Sequence, residues 1–199
     1  MNYSLNNMNE SSITNNKNYK LTYDNGDTYD GECVNYTSNG TGIMIYRNGD
    51  KYDGEWKNDN KHGMGKMIYS NGDVYFGIWK NDIKHGTGLM MYSNGNIYNG
   101  RWKESHQSGK GKMEFNNGDI YKGDFDLGYI YGKGTMKYIN GDIHDGKFEY
   151  SKLIDGNIYY ANGTIKNIKP QTIQIYFPYT NGDDFYNKWW KPEFERKNM

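Results

Sequence analysis

Residues 74–95 read VYFGIWKNDIKHGTGLMMYSNG. Side chains along a strand point alternately to its two faces. Tyr75, Gly77 and Trp79 therefore share one face, and Val74, Phe76 and Ile78 share the other. Further along, Gly86, Gly88, Met90 and Tyr92 fall on one parity, with Leu89 and Met91 opposite. Asn94-Gly95 closes the stretch. Asn-Gly between alternating segments is a strong hairpin signal, because a type I′ turn needs positive φ at both central residues. The spacing predicts two antiparallel strands and a type I′ turn at each Asn-Gly.

The same reading recurs along the chain. Tyr29, Tyr52, Tyr75, Tyr98 and Tyr121 stand 23 residues apart, with His144 in the next place. Two residues after each comes a glycine (Gly31, Gly54, Gly77, Gly100, Gly123, Gly146), and two further on Trp56, Trp79, Trp102, Phe125 or Phe148, with Cys33 in the first unit. A glycine pair follows (Gly63 with Gly65, Gly86 with Gly88, Gly109 with Gly111, Gly132 with Gly134). After it come Met67 and Tyr69, Met90 and Tyr92, Met113 and Phe115, or Met136 and Tyr138. The first unit keeps Gly42, Met44 and Tyr46, but its first glycine reads as displaced by one at Asn39-Gly40. Asn-Gly ends each unit at Gly49, Gly72, Gly95, Gly118 and Gly141. An isolated hairpin is marginal in water, so each unit must lean on its neighbours, with rings laid over glycines.

This frame, Tyr-x-Gly-x-Trp followed by Gly-x-Gly and a closing Asn-Gly, resembles the MORN (membrane occupation and recognition nexus) repeat family from roughly Tyr23 to Gly163. The resemblance and the patterning together imply an all-β fold, a single-layer antiparallel array of β-hairpin repeats. The expected organisation is a disordered Asn-rich segment over 1–18, an array over 19–163 with units starting at 29, 52, 75, 98, 121 and 144, and a cap or tail over 164–199. In the tail, Ile173, Ile175 and Phe177 alternate, and Phe185 and Trp189 echo a broken unit. The sixth unit is degraded, with Gly156 one residue early. The resemblance further implies self-association through terminal repeats and a place at the boundary of membrane and cytoskeleton.

The parity opposite the rings varies between units. In units one to three it holds Ile43, Ile45, Ile68, Val74, Phe76, Ile78, Leu89 and Met91, near Asp30, Glu32, Asp53 and Glu55. Two readings stand for these apolar residues: packing beneath the tail or a twisted edge, or a partner-binding surface, since contiguous exposed apolar area marks interaction sites. In units four and five the same parity holds Arg101, Lys103, Lys110, Lys112, Lys122, Lys133 and Lys137 against Glu114, Asp124 and Asp126. This end reads either as a solvated, salt-interspersed face or as a surface for anionic phosphoinositide lipids through Arg101, Lys103, Lys112 and Lys122.

Composition narrows the classes of function. Twenty-four Lys plus Arg balance 24 Asp plus Glu, so no one-signed field is available for phosphate neutralisation, and nucleic acid is not an expected partner. A lone Cys33 makes no intramolecular disulfide, and Met1 to Asn18 lacks an apolar run, which reads as an intracellular, cytoplasmic chain. His62, His85, His106 and His144 are not at metal-ligand spacing. Each Gly-x-Gly precedes a strand, whereas phosphate-cradling loops open a helix. The expectation is a chain without catalysis, cofactor or metal. Its favoured role is that of a scaffold holding an extended or helical partner segment, with units one to three as anchor and the basic end as guide.

Overall fold

The computed structural model describes residues 3–4 and 17–170. These form one antiparallel sheet of 15 strands in chain order. An entry pair, β1 (Tyr3–Ser4) and β2 (Lys17–Tyr23), precedes six hairpins. These are β3 (Thr28–Val34) with β4 (Thr37–Ile45), β5 (Lys51–Lys57) with β6 (Asn60–Ile68), and β7 (Val74–Lys80) with β8 (Ile83–Met91). They continue as β9 (Ile97–Lys103) with β10 (His106–Glu114), β11 (Ile120–Asp126) with β12 (Tyr129–Lys137), and β13 (Ile143–Glu149) with β14 (Lys152–Tyr159). A last strand, β15 (Ile165–Ile168), pairs with β14, so the sheet extends beyond 19–163 at both ends. Apart from the Tyr3–Ser4 strand, the disorder expected over 1–18 falls mostly outside the described residues, and so does the cap expected from Ile173, Ile175, Phe177, Phe185 and Trp189.

The turns correct the expectation drawn from Asn-Gly. Positive φ at two successive residues occurs at the other end of each hairpin, at Asn35-Tyr36, Asn58-Asp59, Asn81-Asp82, Glu104-Ser105, Leu127-Gly128 and Tyr150-Ser151. Those two-residue loops are the type I′ turns. At Asn-Gly only the glycine is left-handed, as at Gly72 with φ 91°. There the Gly72 N–H donates to the Tyr69 carbonyl and the Tyr69 N–H to the Asp73 carbonyl, each at 2.9 Å. This is a three-residue loop, a type I turn closed by a left-handed glycine. The asparagine works through its side chain: the Asp73 N–H donates to Asn71 Oδ1 at 2.9 Å. Asn-Gly thus serves the longer loop, where one residue rather than two needs positive φ.

The Asp that follows joins units together. Asp73 Oδ1 accepts from the Ser93 N–H of the next loop at 2.7 Å, and Asp50 does the same for Ser70 at 2.7 Å. Equivalent bonds run from Arg47 to Asp27 and from Ile139 to Asp119. Each loop therefore positions its successor one period on.

The two glycines of Gly-x-Gly answer to different demands. The first sits at a bulge with positive φ, as at Gly63 (59°) and Gly86 (63°). Gly40 belongs to this series: it lies opposite Trp56 as Gly63 lies opposite Trp79, so the first unit is in register and not displaced. Bulge N–H groups are caught by acids, Thr41 by Glu32, Met64 by Glu55 and Lys133 by Asp124, at 2.6, 2.8 and 2.9 Å. The second glycine carries a ring. Tyr75 lies over Gly77 and Gly88 and donates its hydroxyl to the Ile78 carbonyl at 3.1 Å. Trp79 packs edge-on between Tyr52 and Tyr75, with centroids 5.6 and 5.1 Å away. Its indole N–H reaches the Gly65 carbonyl at 3.4 Å. The ladder runs without a break from Tyr29 through Trp56, Tyr52, Trp79, Tyr75, Trp102, Tyr98, Phe125 and Tyr121 to Phe148. This is the core, and it lies wholly on one side of the sheet.

Candidate interaction face

The ring side closes on itself. Tyr52, Tyr75, Tyr98 and Tyr121 are 0% exposed. One position per unit lies beside the rings, occupied in turn by Ser38, Lys61, Lys84, Gln107, Ile130 and Leu153. Lys61 Nζ lies over Tyr46, Tyr52 and Trp79 and pairs with Asp82 at 2.9 Å. Lys84 Nζ lies 5.2, 5.2 and 5.0 Å from the centroids of Tyr69, Tyr75 and Trp102. Burial pulls the Lys84 ammonium below the ordinary lysine range. Gln107 donates to the Tyr92 hydroxyl at 2.8 Å. Burial likewise raises the ring tyrosines, Tyr121 to about 12 and Tyr52, Tyr75 and Tyr98 further. None of these groups offers itself to a partner.

The other face is organised by register into rows that cross the strands. The row nearest the Asn-Gly loops runs Ile45, Lys51, Ile68, Val74, Met91, Ile97, Glu114, Ile120, Lys137 and Ile143. The middle row runs Ile43, Asp53, Lys66, Phe76, Leu89, Asn99, Lys112, Lys122, Thr135 and Asp145. Of the eight apolar residues singled out above, the structure groups Ile68, Val74, Phe76, Ile78, Leu89 and Met91 on β6 to β8. Met64, opposite Ile78, joins them. Ile43 and Ile45 stand apart, across Asp53 and Lys51. Phe76 is 50% exposed and faces Leu89 directly. Glu32 and Glu55, which neighbour these residues, are engaged at the bulges.

The sequence reading placed the apolar character of this face in units one to three. The structure extends it, because Ile97, Ile120 and Ile143 continue the loop-side row through the later units. Their signal was the recurrent isoleucine immediately before the unit's tyrosine or histidine. It was hidden because each stands just outside the Tyr-x-Gly-x-Trp frame.

At the basic end, Lys112 and Lys122 lie directly opposite each other, as do Lys133 and Lys147. With Lys110 they line a shallow trough of about 950 Å³ that also includes Gly111, Gly123 and Gly134 and two acids, Asp145 and Asp155. Arg101 and Lys103 lie on β9 outside that lining, so the four residues of the lipid reading divide into two pairs. Lys110 pairs with Asp124 at 2.7 Å, Lys147 with Glu149 at 3.1 Å, and Lys112 with Glu114. Beside the trough Tyr150 packs edge-on against Tyr129 and Tyr131.

Cys33 is buried in the place of the ladder's indole, and burial pushes its thiol up to about 11, away from nucleophilic use. His144 packs edge-on against Tyr138, and burial holds its imidazole below the ordinary histidine range. No helix among the described residues is long and apolar enough to cross a membrane.

Among solved structures, the chain is similar to the TCP domain of SAS-4 (dCPAP) of Drosophila melanogaster in complex with a proline-rich motif of Ana2 (dSTIL). The identity is 15% over 82% of this chain and 95% of that one, with a TM-score of 0.46. It is also similar to the wild-type TCP10 domain of Danio rerio CPAP, at 12% identity over 77% and 84%, with a TM-score of 0.42. A comparison with curated proteins gives no match. The MORN repeat model matches five times in tandem, at 29–51, 52–74, 75–97, 98–120 and 121–143. These are the first five units of the Tyr-x-Gly-x-Trp frame, and together they cover more than half of the sequence. The chain belongs to the MORN repeat family.

Proposed function

We propose that this chain is a non-catalytic interaction scaffold that holds a segment of a partner protein along the face opposite its rings. One observation carries this. The ring side is a finished core, while the other side of β6 to β8 leaves Met64, Ile68, Phe76 and Met91 exposed around half-buried Val74, Ile78 and Leu89. A contiguous exposed apolar patch is the usual mark of an interface. The patch lacks the ring-over-glycine seating that stabilises the opposite side, so its residues are free to serve binding.

The test is a comparison of wild type with a Phe76→Asp, Leu89→Asp variant in pull-downs from native lysate. Circular dichroism checks the fold, and any differing protein is then rebound in purified form. Loss of a defined protein with the fold intact supports the patch as the binding surface. An unfolded variant would make this face part of the core and overturn the proposal. Unchanged capture together with salt-sensitive binding to phosphoinositide vesicles would shift the function to lipid recognition.

A further inference from the structure

We propose that β9 to β14 form a seat for one kind of partner, an amphipathic helix with apolar residues at heptad spacing and acidic residues along one flank. This rests on the scaffold reading and gives its partner a chemistry.

The spacing comes from the loop-side row, where Ile97, Ile120 and Ile143 stand on alternate strands with Glu114 and Lys137 between them. All three isoleucines are half-buried. Adjacent strands lie about 4.8 Å apart, so the isoleucines repeat every ~9.6 Å. A helix advances about 10.5 Å in seven residues. The two repeats differ by about 0.9 Å per step, so three heptad residues stay within about 1 Å of the three isoleucines when the middle pair is aligned. An extended segment presents same-side residues every ~6.8 Å and falls out of step after one contact.

Charge supplies the second half of the match. Lys112 faces Lys122 and Lys133 faces Lys147, two residues or more along the strands from the isoleucine row. Like charges directly opposite each other weaken a sheet. Among the described residues Lys122 and Lys133 have no ion pair, and both are exposed. These lysines line the inside of a trough, while Arg101 and Lys103 lie beyond it. A flat membrane meets rims first, whereas a rod lies along a trough. An acidic flank on a helix held by the isoleucine row would pair with Lys122 and Lys133, the member of each opposed pair that has no ion pair among the described residues.

The experiment is selection of a displayed library of random segments about three heptads long on the full chain, followed by titration of the consensus peptide. The expected enrichment is Leu or Ile at positions i, i+3 or i+4, and i+7, with Asp or Glu on one flank. Binding should weaken with salt and fall roughly tenfold in Ile120→Asp and in Lys122→Glu, while Lys57→Gln, an exposed change on β5 outside the seat, leaves it unchanged. Should either reversal unfold the chain, Ile120→Ser and Lys122→Gln replace it. Enrichment of an alternating i, i+2 pattern, absence of enrichment, or indifference to the Ile120 and Lys122 variants overturns the seat. Dependence on Phe76 alone overturns it too, yet leaves the scaffold reading standing. A loss confined to binding of phosphatidylinositol phosphate vesicles replaces the helix with a lipid.

Discussion

Replacing Gly77 with alanine tests the ring-over-glycine packing directly. Gly77 is not among the positive-φ glycines, so its backbone accepts any residue. With room available, alanine would stabilise a strand interior by roughly 0.5–1 kcal/mol. There is no room. The added methyl would lie 2.6 Å from Gly88 Cα, 2.6 Å from Tyr75 Oη and 2.7 Å from the Thr87 carbonyl oxygen. Two of those three atoms are backbone and cannot step aside. The ring must lift, which costs the hydroxyl bond to Ile78, about 1 kcal/mol, and loosens its edge contacts with Trp79 and Trp102, about 0.5–1.5 kcal/mol each. Set against the strand-interior gain and allowing for partial relaxation, the net loss is about 2 kcal/mol, a fall in Tm of roughly 4–8 °C for a domain of this size. Thermal unfolding followed by tryptophan fluorescence is the assay, because the two indoles that flank Tyr75 report on the displaced ring. A Gly77→Ala variant as stable as wild type, or more stable, would refute the packing argument.

Other outcomes follow from the same geometry. Lys84→Met should keep stability within about 1 kcal/mol of wild type or raise it, since among the described residues the caged ammonium has no ion-pair partner and Ile130 and Leu153 fill the same place in later units. Lys61→Met should instead lose about 1 kcal/mol, because Asp82 is left without its cation; chemical denaturation of the two variants separates them. Burial raises Tyr75 and Tyr98 well above their ordinary value, so the stability they contribute is complete below about pH 10 and is lost as pH climbs beyond it. An alkaline titration should show ring tyrosinate forming together with unfolding, and ionisation of those tyrosines in a folded chain would contradict it. The backbone bond from Ser93 holds Asp73 below the usual carboxylate range. Its contribution is therefore present above about pH 4 and lost as pH falls through the folded value. Asp73→Asn should flatten that acid limb in stability measured against pH.

The sheet was legible because a fixed period, residue parity and glycine placement all follow from steric rules that act within a few residues. Tyr75, Gly77 and Trp79 announce a shared face whatever surrounds them. What stayed hidden depends on partners one unit away. The Asn-Gly loops were assigned the wrong turn because loop length is set by pairing across the hairpin, and Asn81-Asp82 carries no glycine to advertise its left-handed pair. The roles of Asp73 and Glu55 lie in bonds to the next loop and to a bulge N–H, and neither residue type reveals this. Gly40 looked displaced only because Asn39 precedes it. On the candidate face, Phe76 and Leu89 were legible from alternation. The continuation through Ile97, Ile120 and Ile143 was not, because cross-strand register assembles that row from residues that never adjoin in the chain.

The loop bonds from each Asp to the next unit, and the indoles wedged between successive tyrosines, link nearest neighbours only. Under tension applied between the two ends of the sheet, load therefore passes from unit to unit. Failure begins where that link is weakest, at the first unit, which has Cys33 where the others have an indole or phenyl ring, or at the shortened sixth. Each unit of 23 residues would release about 80 Å of chain while giving up about 10 Å of folded length. The molecule would thus pay out as a series of nearly equal steps of about 70 Å, a graded extensible spacer with its core on one side throughout.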